Sequence, residues 1–182
     1  MSISSFAVQQ QFNVKNALAS NMVSELIRVR KEAIRASLDV NNTEEHRLES
    51  VYKINGVQYI NDAGAQSVNA TFYSIDCVEM PIVWIVEGDT SGADYMPLLP
   101  LVREKVKAII CVGYHNENII NTFGNVVDYI VESSFIHEAV QIAYKISENG
   151  DAVLMSPSTN SDRYFENFQD RGAQFKLAVR SL

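Results

Sequence analysis

None of the eight glycines in this chain is followed by lysine. The GxxxxGK[ST] loop, whose backbone cradles nucleotide phosphates while its lysine neutralises them, is therefore missing. So are GxGxxG, which brings a pyrophosphate onto a helix N-terminus, and the GxSxG turn that exposes a nucleophilic serine. The two cysteines, Cys77 and Cys111, stand in apolar surroundings without CxxC spacing, and His46, His115 and His137 are isolated from them and from one another. No metal-ligand cluster and no disulfide framework can be read, and two buried free thiols are expected. No basic stripe offsets the formal net charge of -7, which argues against a protein that tracks nucleic-acid phosphates. Arg28, Arg30, Lys31 and Arg35 do cluster, but Glu25 and Glu32 sit among them, the pattern of a solvated helix face. Met1 to Gln11 has neither the basic start nor the apolar core of a secretion signal, and no apolar run approaches the length of a membrane span. A cytoplasmic location is expected, with neither nucleic acid nor membrane as partner.

What is present is an ordinary globular composition, 47% hydrophobic and 20% charged over 182 residues. That length suits one domain with a short helical extension, and lets the chain bury roughly 70% of its unfolded surface. Val14, Leu18, Met22 and Leu26 repeat at helical spacing, as do Ile34 and Leu38. Two helices follow, broken near Arg28 and Val29. Asn41-Asn42-Thr43 is a polar linker, so the expected division is an extension over 1–43 and a domain over 44–182.

Beyond the linker the texture changes. Leu48 to Ile54 and Val57 to Asn61 alternate as strands around Asn55-Gly56, the dipeptide that best accepts a type I′ hairpin turn. Ile82 to Val86 and Ala108 to Val112 are short, continuous apolar runs, and Val126 to Val131 and Ala152 to Met155 complete the set, as in strands covered on both faces. Helical stretches lie between them: Val68 to Val78, Tyr95 to Lys105, Asn116 to Thr122 and Phe135 to Ser147. A last one, Ser161 to Arg180, puts Phe165, Phe168, Phe175 and Val179 on one core stripe. The alternation predicts an α/β fold with a Rossmann-like, doubly wound, mostly parallel sheet, opened by a β-hairpin and preceded by two helices. Ligands in such folds bind beyond the carboxyl ends of the strands. Chemistry should therefore come from Asp62 to Ser67, Glu87 to Asp94, Gly113 to Asn116 and Ser156 to Asp162.

Two of these segments have two readings. Asp62 can accept hydrogen bonds from a ribose, with backbone N–H groups nearby meeting an anion; equally, this is a turn with Gly64 for freedom and Ser67 as N-cap. Ser156 to Asp162 is rich in hydroxyls, suited to a small polar ligand or to capping the last helix through Ser161. Glu87 to Gly92 reads as a flexible acidic loop that repels anions. His46-Arg47 reads as a surface pair.

Taken in order, several strings resemble the Mur ligase family, nearest its D-glutamate-adding members. Phe12 to Ala19 with Arg30 to Ile34 is similar to the helices closing the family's central domain. His46-Arg47-Leu48-Glu49, Asn55-Gly56 and Ile60-Asn61-Asp62 resemble the hairpin that opens its C-terminal domain. Glu87-Gly88-Asp89 with Ala93-Asp94-Tyr95 is similar to a loop running G-G-x-x-K. Leu154 to Pro157 with Ser161, Phe165, Asn167, Phe168, Arg171, Gly172 and Phe175 resembles the closing motif. The resemblance implies an ATP- and Mg2+-dependent amide-bond-forming ligase. Its central domain holds the phosphate loop, and its C-terminal domain supplies nucleotide contacts and much of the amino-acid pocket. It places Arg47 and Asp62 at nucleotide-contacting positions, and Gln66, Ser161 and Phe168 at substrate positions.

The departures are equally specific. Where the family reads S-K-A-T-N after Asn61-Asp62, this chain has Ala63-Gly64-Ala65-Gln66-Ser67, so Gly64 replaces a lysine and Gln66 a threonine. Ser91 and Glu166 stand at two more lysine positions, Glu87 at a glycine, and Asp162 and Arg163 at an apolar and an acidic one. Losing one charge-assisted bond forfeits roughly 1.5–3 kcal/mol, and two such losses weaken binding on the order of 10² to 10⁴-fold. The expectation is a domain with no catalytic residues and no metal or cofactor bound by itself, related to peptidoglycan-precursor ligases. It would act by binding a nucleotide, an amino acid, or a partner such as a Mur ligase or another cell-wall precursor enzyme. The alternative is a fragment or trans-acting part of an ATP-dependent D-glutamate-adding ligase.

Overall fold

The computed structural model describes residues 45–88, 92–160 and 164–182. All of them belong to one compact unit, Asn41–Leu182; the helices expected within 1–43 lie outside the described residues. The elements run β1 (Glu49–Ile54), β2 (Val57–Asn61), α1 (Val68–Cys77), β3 (Ile82–Glu87), a 3-10 turn (Met96–Leu98), α2 (Leu99–Lys105), β4 (Val106–Val112), α3 (Glu117–Phe123), β5 (Tyr129–Ser133), α4 (Ile136–Ile146), β6 (Ala152–Met155) and α5 (Phe168–Arg180).

The hairpin forms as its turn chemistry dictates. Asn55 and Gly56 both take positive φ, 51° and 82°, which the type I′ turn requires. It pairs Ile54 with Val57 in an antiparallel ladder. All other pairings are parallel, and the sheet order is β1-β2-β6-β3-β4-β5. The chain steps from β3 to β5 in one direction and returns through α4 to place β6 between β2 and β3. With right-handed crossovers this puts the helices on opposite faces. α4 and α5 pack together, whereas α1, α2 and α3 contact one another in succession.

Both faces are therefore covered, which is why the central strands could be written as continuous apolar runs. Every residue of β3 and β6 is buried. Val83, Ile85, Ile110, Val153 and Met155 form one core layer with Ala139, Val140 and Ala143 of α4 and Phe175 and Val179 of α5. On the opposite face Trp84 meets Phe123 edge to face at 5.9 Å, and Tyr95 meets the same ring at 6.1 Å. Cys77 and Cys111 are both free and buried.

Three expected boundaries move. The fifth strand begins at Tyr129, not Val126, because the Val126 and Val127 amides bond the Phe123 carbonyl and continue the turn after α3. The last helix begins at Phe168, not Ser161. Its N-cap is Asn167, whose side chain accepts from the Asp170 amide at 2.8 Å. Phe165 thus precedes the helix, and the buried stripe of α5 runs Arg171, Gly172, Phe175, Ala178 and Val179, with Phe168 only half-buried. Met96–Leu98 is a 3-10 turn rather than the start of α2.

Candidate functional site

The segments after β2, β3, β4 and β6 converge at the carboxyl edge of the parallel strands. Hydrogen bonds carry the sheet into them: Asp62 N to Met155 O, Ser156 N to Ile85 O, Gly88 N to Val112 O and Gly113 N to Ser133 O. β6 lies at their centre. Its exit leads to α5 on one face, while its neighbours β2 and β3 lead to α1 and α2 on the other. Such a reversal opens the crevice in which doubly wound folds place ligands.

Asp62 stands at the end of β2, 2% exposed. Its carboxylate accepts from the Leu48 amide at 3.1 Å and from Ser156 Oγ at 2.9 Å. Ser156 Oγ lies 2.9 Å from Thr71 Oγ1, and the Ser156 carbonyl accepts from Trp84 Nε1 at 2.8 Å. Burial pushes the Asp62 carboxyl up to about 6, against bonds from Ser74, Leu48 and Ser156 and the charge of Arg47, which pull it down. Two turns later, Ser67 caps α1 by accepting from the Ala70 amide at 3.2 Å.

Gln66 donates to Asn160 Oδ1 at 2.5 Å, and the Ser158 amide donates to the Ala65 carbonyl at 3.1 Å. The loops after β2 and β6 are thus joined across the crevice. Gly64 is exposed, but a Cβ there would lie 3.1 Å from the His46 carbonyl, to which the Gly64 amide donates at 2.9 Å.

His46 and Arg47 part company. Arg47 is exposed, whereas His46 is 5% exposed, against the expected surface pair. Its ring packs edge-on to Phe168 at 6.2 Å and lies 3.0 Å from Asn61 Nδ2. Gly172 makes this possible, since a Cβ at that position would sit 2.1 Å from His46 Nδ1. Phe168 therefore supports the 46–48 segment from the start of α5. Ser161, Ser91, Asp162 and Arg163 lie outside the described residues, and Glu166 is exposed.

The largest correction concerns Glu87. It is the last residue of β3, 2% exposed, rather than part of a flexible acidic loop. Its Oε2 is 2.7 Å from Arg171 Nη2, and Arg171 is also 2% exposed. The same guanidinium donates through Nη1 to the Ala63 carbonyl at 3.3 Å and lies over the Phe165 ring at 5.3 Å. Arg171 thus reaches under β6 from the exit of β2 to that of β3. Residue parity carried the signal: positions 83, 85 and 87 share one side of the strand. A separate open groove of about 590 Å³ lies beyond β4, lined by Asp94, Met96, His115, Glu117 and Asn118 among others.

No family model matches the chain. Among curated proteins it is similar to the UDP-N-acetylmuramoylalanine–D-glutamate ligase of Christiangramia forsetii, 54% identical over all 182 residues but over 41% of that protein's length. It is also similar to those of Porphyromonas gingivalis, at 36% over 97% of this chain and 39% of that one, and Chloroherpeton thalassium, at 38% over 99% and 38%. The chain spans about two-fifths of the length of these relatives. Among solved structures the fold is similar to the UDP-N-acetylmuramate-alanine ligase of Thermotoga maritima, with TM-score 0.50 and 12% identity over 75% of this chain and 30% of that one. It is likewise similar to the murein peptide ligase of Psychrobacter arcticus, with TM-score 0.51 and 12% identity over 76% and 30%. The chain is similar over its whole length to D-glutamate-adding Mur ligases, of which it spans about two-fifths, and its described part has the fold of Mur ligase C-terminal domains.

Proposed function

We propose that this chain is a cytoplasmic, non-catalytic Mur ligase C-terminal-like domain that acts by binding a ligand or a partner from peptidoglycan-precursor synthesis. One observation carries the reading: several polar groups of the crevice are paired within the chain itself. Glu87 takes Arg171, Asn160 takes Gln66, and Ser156 with the Leu48 amide takes Asp62. Gly64, at the family's lysine position by resemblance, offers no cation. A ligand carboxylate or phosphate would have to break these bonds without a replacement charge. Relatives in the wider fold group have been solved with ADP, or with AMPPNP and manganese. Among the described residues, no group of three or more His, Cys, Asp or Glu side chains could hold a metal ion. Arg47, Asp62, Gln66, Ser161 and Phe168 remain the positions at which a nucleotide or amino-acid contact belongs on this reading.

The test is calorimetry and thermal shift of the purified chain with ATP and Mg2+, D-glutamate, and UDP-N-acetylmuramoylalanine. No saturable response to D-glutamate at millimolar concentration is expected. Millimolar or tighter D-glutamate binding, or ATP turnover with extension of the muramyl precursor, overturns the proposal.

A second reading is favoured by the 54% identity to a ligase of which the chain spans 41%. On it, this is the C-terminal part of an ATP-dependent D-glutamate-adding ligase. Restored ATP turnover on mixing with a chain that carries a phosphate loop would establish that reading.

A further inference from the structure

We infer that Arg171 is the centre of a carboxylate-binding site that the chain fills with its own Glu87. The inference rests on these side chains and their surroundings rather than on the family reading, so the two can fail separately. Glu87 closes β3 on the same side as Val83 and Ile85, and the wall around it is apolar: Ile85, Val112, Ile136, Met155, Pro157 and Phe165. A carboxylate enters such surroundings only with a partner. Arg171 supplies it, at 2.7 Å.

The guanidinium does not depend on Glu87 for its place. Its stem leaves the second turn of a capped helix, its Nη1 donates to the Ala63 carbonyl, and its plane is supported by Phe165. It is a cation fixed from behind, with one edge turned to the space between the exits of β2 and β3. That space is the reversal of strand order beside β6, where this architecture places ligands. In the native chain the room left is a void of about 10 Å³, the space of a single water. Truncating Glu87 to alanine removes the carboxylate and one methylene while leaving the cation in position. A small carboxylate should then occupy the vacated place.

The experiment is thermal denaturation of the full chain as wild type, Glu87→Ala and Glu87→Ala/Arg171→Met, titrated with sodium formate or acetate against sodium chloride of equal ionic strength. Glu87→Ala should lower Tm on the order of 10 °C, since it removes the carboxylate that neutralises a buried cation. Formate should recover much of that loss saturably, beyond the effect of chloride. The double variant should lie above Glu87→Ala and show no formate response, and the wild type should show none either. The inference is overturned if Glu87→Ala matches wild type, if chloride recovers Tm as well as formate does, or if the response survives Arg171→Met. Should Glu87→Ala not fold, folding in formate buffer or on adding Arg171→Met upholds the site. Failure of both rescues overturns it.

Discussion

Asp62 stands at the sheet edge where doubly wound folds place ligands, and yet it is committed to the interior. Its carboxyl is raised from 3.8 to about 6, so between these values the folded chain holds a proton that the unfolded chain has released. A group of this kind contributes stability at low pH and loses it as pH rises through the folded value. The loss amounts to about 3 kcal/mol across the window. Asp62→Asn, which keeps the shape and cannot titrate, should erase it. The wild-type minus Asp62→Asn difference in unfolding free energy, from urea melts between pH 4 and 7, should fall by that order as pH rises. A flat difference would contradict the raised value. From sequence, Asp62 could be placed at the right edge but not buried, because burial depends on the Leu48 amide and Ser156 hydroxyl that meet it across the fold. Glu87 was misread for a related reason. The string Glu87-Gly88-Asp89-Thr90-Ser91-Gly92 that it opens suggests a loop, and its partner Arg171 is 84 residues away, beyond the reach of local pattern.

The elements were easier to read where they are repetitive. Residues 82–86 of β3 and all of β6 are unbroken apolar runs, and Asn55-Gly56 names its own turn, so these strands and the hairpin fall where expected. Boundaries failed where a second plausible signal stood nearby. Val126 and Val127 look like strand but serve the turn after Phe123. Ser161 looks like an N-cap, yet Asn167 with Asp170 three residues on makes the cap, while Asp170 Oδ2 also accepts from the Glu166 amide. α5 is the element that presents Arg171 and receives His46, so its start matters. Removing the cap by Asn167→Ala should cost about 1 kcal/mol. That would appear as a few degrees in Tm, and an unchanged Tm would argue that the helix is fixed by packing alone.

For the molecule as a whole, protection should follow the depth of the sheet. β3 and β6 are buried along their length and flanked on both sides, whereas β5 is an edge with Tyr129 65% exposed. Amides of 82–87 and 152–155 should exchange with deuterium only through global opening, while those of 129–133 exchange through local fraying. Peptide-level exchange followed by mass spectrometry checks this ordering; equal rates in the three segments would contradict it. The hairpin strand β1, outermost at the other edge, should resemble β5.

Cys111 lies on β4, between β3 and the edge strand β5, at 0% exposure, its thiol pushed up to about 12 by burial and by the charge of Glu132. Attack on a disulfide reagent requires the thiolate and a path to it, and the native fold withholds both. Colour released from such a reagent at Cys111 therefore counts molecules that have come apart, giving the chain an internal clock for its own unfolding.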